Sequence, residues 1–213
     1  MNDFDARLKT WRDLQEFEEL SYRESHEKRG DYYGYFSMEK RNDARAAGER
    51  ITARCKNCLD IGSGILQRPV YMNSSVNFTG LDPFFGEYKR EFPFAQAIGE
   101  HLPFPSSLFK CVSFMSTLDH QIEPLVSLKE AHRVLVEDGL LFLWVALCPE
   151  NSNSYRKWRS APLGTKFNTH HQHAFVEQDI RELLAQSGFE WLECTRISRT
   201  YLITGQKIGV NHG

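Results

Sequence analysis

The chain has 213 residues, of which 41% are apolar and 25% charged, with a formal net charge of -2. That suffices for one α/β domain with a sizeable core and is ordinary for a soluble globular protein. The near-balanced charge gives no global electrostatic case for a nucleic-acid partner. No apolar run is long enough to span a bilayer, and the N-terminus has no signal-like apolar stretch, so a cytoplasmic location is expected.

Residues 1–50 are charged and aromatic, and they predict one or two amphipathic helices with a Tyr-rich break near Gly30 to Gly34. This segment is expected to cap residues 51–213, either as a lid over a ligand site or as cover for a sheet edge. From Asn57 the pattern alternates regularly. Strands are expected at Asn57 to Ile61, Asn77 to Leu81, Phe94 to Ile98 and Lys110 to Met115. Short helices are expected around Leu66 to Met72 and within Gly86 to Glu91. A longer helix runs from about Glu123 to Val136, with Leu125, Leu128, Ala131, Val134 and Leu135 at helical spacing and Gly139 as a left-handed cap.

Leu140 to Leu147 is a continuous apolar run, as a central strand buried on both faces requires. After Pro149 comes a long polar insertion, then a helix over Glu177 to Gln186 that ends at Gly188. Two closely spaced strands, Phe189 to Ile197 and Thr200 to Gln206, must form an antiparallel hairpin. The five cysteines predict free thiols. Cys55 and Cys58 form a lone C-x-x-C, and a zinc site would need two more ligands.

The run N-C-L-D-I-G-S-G, Asn57 to Gly64, places a Gly-rich turn at the end of the first strand. Asp82 closes the second strand. Glycines let backbone approach a nucleoside, and a carboxylate there accepts hydrogen bonds from two ribose hydroxyls. The bland alternatives are a tight turn at Gly62 and Gly64 and a helix cap at Asp82. An NAD fingerprint would need a third glycine where Gln67 stands, and a sixth parallel strand in place of the hairpin. Asp60, two residues before Gly62, would repel a pyrophosphate and suits a ligand carrying an ammonium and a sulfonium.

Five pieces occur together in order: L-D-I-G-S-G, F-T-G-L-D-P-F, G-E-H-L-P-F-P-S-S-L-F-K-C-V, S-T-L-D-H and L-K-E-A-H-R-V-L-V-E-D-G-L-L-F-L. Over about Asn57 to Gln206 the chain thereby resembles the class I S-adenosylmethionine-dependent methyltransferases. It is closest in type to the group with an L-P-F-P signature met in quinone, lipid and surface-polysaccharide pathways. The resemblance implies a Rossmann-like, doubly wound α/β sheet of mostly parallel strands ending in an antiparallel hairpin, in the order 3-2-1-4-5-7-6. It implies S-adenosylmethionine as cofactor and a small-molecule or sugar- or lipid-linked methyl acceptor. The alternative is a non-catalytic S-adenosylmethionine-binding or scaffold protein.

By that resemblance Gly62, Ser63 and Gly64 approach the methionine part and ribose, with Asp60 acting through water or orienting the turn. Asp82 takes the ribose diol, and Pro83 or Phe84 lies on the adenine face. Ile98 and Gly99 border the adenine edge. The family often has an acid at the position of Ile98, and here Glu100 is the candidate substitute. Met115, Ser116 and Thr117 floor the methionine pocket.

Methyl transfer from a sulfonium is an in-line displacement, and a hydroxyl nucleophile benefits from a base such as histidine. His120, after the fourth strand, is the candidate base, while Asp119 beside it reads best as a cap. Of His170, His171 and His173, one is expected to touch substrate, with His171 the catalytic candidate. No metal is expected, because His171 and His173 have no carboxylate at a familiar spacing.

Overall fold

The computed structural model describes residues 3–29, 42–65, 67–69, 71–86 and 89–209. The Tyr-rich break at Gly30 to Gly34 lies outside the described residues. Helices α1 (Asp3–Arg29) and α2 (Asn42–Arg54) precede the sheet, and α2 runs across the expected boundary at residue 50. The strands are β1 (Asn57–Ile61), β2 (Asn77–Asp82), β3 (Phe94–Gln96), β4 (Phe109–Met115), β5 (Leu135–Ala146), β6 (Phe189–Ile197) and β7 (Thr200–Lys207). They form one sheet in the order β3-β2-β1-β4-β5-β7-β6. Pairings are parallel from β3 through β5 and antiparallel for β5–β7 and β6–β7. Among the described residues no helix is long and apolar enough to cross a membrane.

Strand periodicity divides the core into two layers. Leu59, Ile61, Val112, Phe114, Leu141, Leu143 and Val145 face one side, against helix α3 (Pro124–Val134) and helix α5 (Glu177–Gln186). Cys58, Cys111, Met115, Phe142 and Trp144 face the other, where α2 presents Ala44, Ala47 and Ile51. The α3 stripe Leu128, Ala131 and Val134 is fully buried. Each such aliphatic side chain contributes about 1.5–3 kcal/mol on leaving water.

Three local expectations fail for backbone reasons. The described residues of 66–72 are bends and turns instead of helix. Pro69 disfavours helical geometry at the residue before it, and the Met72 N–H donates to the Pro69 carbonyl in a turn. The described residues of 86–91 are not helical either. Gly86 is left-handed, at φ 71, and Arg90 holds the loop by donating to the carbonyls of Gly64, Phe84 and Phe85.

Gly139 is not a left-handed cap. Helix α3 passes directly into β5 at Leu135, and the left-handed residue is Asp138, at φ 59. Gly139 answers a close approach instead, since a Cβ there would lie 2.8 Å from the Val136 carbonyl oxygen. The polar insertion after Pro149 also holds an unexpected short helix, α4 (Asn153–Arg159).

The five thiols are not all free. Cys55, leading into β1, is disulfide-bonded to Cys111 on neighbouring β4, with the Cα atoms 6.2 Å apart. Cys58, Cys148 and Cys194 are free. In register Cys111 aligns with Cys58 on β1, and Cys55 reaches Cys111 from the short junction between α2 and β1.

Candidate cofactor cavity at the strand ends

A cavity opens at the carboxyl ends of β1, β2 and β4. Its walls include Ile61, Gly62, Gly64, Leu81, Asp82, Pro83 and Phe84. Ile98, Gly99, Glu100, Ser116, Thr117, His120 and Gln121 complete the sheet side, and α1 covers it with Trp11, Gln15 and Glu18.

The turn after β1 is shaped by two left-handed glycines, Gly62 at φ 80 and Gly64 at φ 70. The N–H groups of Gly62 and Ser63 both donate to the Leu81 carbonyl, at 2.8 and 3.0 Å. The Gly64 N–H donates to Asp82 Oδ2 at 2.8 Å, and the Phe84 N–H donates to Asp82 Oδ1 at 2.9 Å. Asp82 therefore does cap its own loop, and the same carboxylate stands on the cavity wall. Burial pushes its carboxyl up to about 6, against the lowering effect of those two N–H groups.

Three of the expected cofactor residues are not on the described wall. Asp60 is fully buried on the α2 face, because alternation along β1 turns it away from Ile61. There it accepts hydrogen bonds from Tyr71 Oη at 2.7 Å and Ser113 Oγ at 2.6 Å. Burial raises its carboxyl to about 7. Met115 shares that face and packs with Cys111, Phe142 and Trp144. The Ser63 hydroxyl is tucked against Gly80, where an added Cβ would lie 2.6 Å from Ser63 Oγ, and that hydroxyl has no hydrogen-bond partner.

The other expected residues come together. Thr117 Oγ1 donates to the Ile61 carbonyl at 2.7 Å, fixing the β4 loop under the Gly62 turn. Ser116 is left-handed, at φ 61. Glu100 is buried and accepts the Glu123 N–H at 2.9 Å, so it also sits at the start of α3. The L-P-F of residues 102–104 is structural. The Leu102 N–H donates to Glu130, and Arg133 donates to the carbonyls of Leu102 and Phe104.

Among the histidines, His120 is on the wall. It belongs to a 3-10 turn, Leu118–His120. The His171 ring lies one layer outward, 4.9 Å from that of His120 in an edge-on arrangement. His170 Nδ1 is 2.8 Å from Glu18 Oε1. His173 is structural: its Nε2 lies 2.8 Å from the Gln121 carbonyl, and its N–H donates to the Asp119 carbonyl. Burial holds it neutral, down to about 4.

Trp11, Gln15, Glu18 and Gln121 were not anticipated. The first three share a helical stripe with buried Leu14, a spacing legible as W-x-x-L-Q-x-x-E. That spacing alone does not say which surface the stripe covers.

The sequence matches the protein family described as "Methyltransferase domain" over residues 17–194. No curated protein matches it. The fold is similar to that of the Burkholderia thailandensis 1,6-didemethyltoxoflavin-N1-methyltransferase, solved with 1,6-didemethyltoxoflavin and S-adenosylhomocysteine. That likeness has 17% identity and a TM-score of 0.65, covering 89% of this chain and 87% of that one. An S-adenosylmethionine-dependent methyltransferase from Thermotoga maritima is similar at 17% identity and TM-score 0.63, covering 92% and 99%. The [4+2]-cyclase SpnF is similar at 15% identity and TM-score 0.61, covering 78% and 81%. Likeness at this level concerns the fold alone.

Proposed function

Because the chain belongs to the methyltransferase domain family, we propose that it transfers a methyl group to a small-molecule or sugar- or lipid-linked acceptor. S-adenosylmethionine is the cofactor; when bound, it supplies an electrophilic methyl already activated by the positive sulfur. The observation that carries the reading is the convergence of Asp82, the Gly62–Gly64 turn and His120 on one cavity.

In this reading Asp82 receives the two ribose hydroxyls while holding the Gly64 turn. Pro83 and Phe84 lie along the adenine face, and Ile98, Gly99 and Glu100 border its edge. Gly62, Gly64, Ser116 and Thr117 line the methionine end, where the left-handed turn leaves room for the ligand. Asp60, Ser63 and Met115 act from behind, by filling and bonding the layer beneath the turn. His120 stands where an acceptor proton leaves, with His171 behind it. Helix α1 serves as the cap, since Trp11, Gln15 and Glu18 close the cavity and exclude water from the transfer.

The test is turnover. The protein is incubated with S-adenosylmethionine and a panel of hydroxylated small molecules, nucleotide sugars and lipid-linked sugars, and S-adenosylhomocysteine is measured. Acceptor-dependent release that falls at least tenfold in His120→Ala supports the reading. Tight cofactor binding with no turnover on any acceptor points to the scaffold alternative.

A further inference from the structure

We propose that Asp119, His120 and His171 form a binding site for a divalent transition-metal ion, typified by zinc, at the mouth of the cofactor cavity. One ligand atom from each of the three side chains lies within 4.8 Å of the others. His171 Nε2 is 3.6 Å from Asp119 Oδ2, and His120 Nε2 is 3.9 Å from Asp119 Oδ1. Both separations are too long for hydrogen bonds. They are close to the spacing of two ligands that share an ion: atoms about 2.1 Å from a tetrahedral centre stand about 3.4 Å apart. Side-chain rotations that draw the three ligand atoms from within 4.8 Å of one another to about 3.4 Å meet that requirement. The two imidazoles then close on the same centre.

The supporting contacts are those of a prepared site. Asn168 Oδ1 lies 3.0 Å from His171 Nδ1, so that nitrogen carries the proton and the Nε2 lone pair is left facing Asp119. A ligating imidazole is held by such a partner on its other nitrogen. Asn168 Oδ1 also accepts the N–H groups of His170 and His171, and the N–H groups of Phe167 and Asn168 donate to the His171 carbonyl. The loop carrying His171 is thus folded on itself around Asn168. It is tied to the loop carrying Asp119 and His120 by the His173 N–H, which donates to the Asp119 carbonyl at 3.0 Å. Asp119, His120 and His171 are each partly exposed, so an ion has a route in. The carboxylate that the sequence pattern of the later histidines lacks comes from Asp119, far away in the chain.

Two imidazoles and one carboxylate select a transition ion over magnesium or calcium, and three protein ligands leave a position open. Since His120 lines the cavity, the open position belongs to the side from which an acceptor must enter. If the methyl-transfer reading holds, the ion binds an acceptor hydroxyl and lowers its pKa. The hydroxyl proton goes to solvent, the oxygen forms the new bond to the methyl carbon, and the carbon–sulfur bond breaks with its electron pair left on sulfur. The ion then does the work otherwise assigned to a free His120 imidazole.

The test titrates zinc by calorimetry into the full chain freed of metal by chelator dialysis. Cobalt replaces zinc in a parallel visible absorption titration, and S-adenosylhomocysteine binding is measured on every sample. One equivalent is expected to bind and to give a cobalt ligand-field spectrum. Affinity should fall at least 30-fold in Asp119→Asn, His120→Ala and His171→Ala. It should fall about tenfold in Asn168→Ala, which removes only the orienting partner, and stay unchanged in His101→Ala. Absence of saturable zinc binding, or binding that survives all three ligand substitutions, overturns the site. If zinc binds as described but S-adenosylhomocysteine does not, the ion site stands and the methyl-transfer reading falls. The reverse result removes the ion and leaves His120 as the base.

Discussion

Asp82 Oδ2 accepts the backbone N–H of Gly64 at 2.8 Å, joining the end of β2 to the turn that ends β1. One carboxylate therefore shapes the turn and also faces the cavity. Hydrogen bonds to a charged acceptor contribute about 1.5–3 kcal/mol each, and about 1.4 kcal/mol is a factor of ten. Asp82→Ala is expected to weaken S-adenosylhomocysteine binding about 100-fold. Asp82→Asn, which keeps one acceptor oxygen, should lose about tenfold. Calorimetry on both variants checks the ordering.

The two left-handed glycines should respond differently. A Cβ on Gly62 would run into the Thr117 side chain, whereas one on Gly64 meets nothing within 4 Å. Both substitutions impose left-handed strain of about 1–2 kcal/mol. Gly62→Ala adds a collision and should lower the melting temperature markedly. Gly64→Ala should melt closer to wild type yet bind cofactor poorly, because its new methyl projects where ligand belongs. Thermal melts paired with binding titrations separate the two effects.

Asp60 gives a pH signature. Its carboxyl is pushed up to about 7 in the folded protein by burial, against an unfolded value near 3.9. The folded state then holds more protons than the unfolded state between those values, so stability falls as pH rises through the interval. The contribution is fully present below about pH 4 and is lost above pH 7. Asp60→Asn should flatten that part of the stability–pH curve in urea titrations. Because Asp60 is off the cavity wall, the variant should keep S-adenosylhomocysteine affinity within about threefold.

The Cys55–Cys111 disulfide can be counted. Thiol titration of the denatured, unreduced protein should find three groups, rising to five after reduction. Closing a 56-residue separation should stabilise the fold by about 2–4 kcal/mol. Cys55→Ser should therefore unfold at lower denaturant than the oxidised wild type.

The sheet was readable because its strands are short apolar runs with turn residues between them, and the terminal hairpin left no length for a crossover. Asp82 and the two glycines were readable because their spacing reports a backbone shape. Asp60, Ser63 and Met115 lie off the described wall for a shared reason. Adjacency to a cavity-lining residue in a strand or tight turn places a side chain on the opposite face, and the motif does not state which face carries the ligand.

The described residues of 86–91 form a loop held by Arg90, whose carbonyl partners are spread over Gly64, Phe84 and Phe85. No local propensity encodes that. The approach of Asn168 and His171 to Asp119, and of α1 to the strand ends, depends on tertiary contact in the same way.

The ends of β1 and β2 are proposed to hold the adenosine of a sulfur-bearing cofactor. Calorimetric titration of S-adenosylhomocysteine into the folded wild-type chain at pH 8, where Asp82 is ionised, tests it most directly. One site in the micromolar range is expected, with the heat lost in Asp82→Ala. No heat from well-folded wild type, or undiminished binding by that variant, contradicts it.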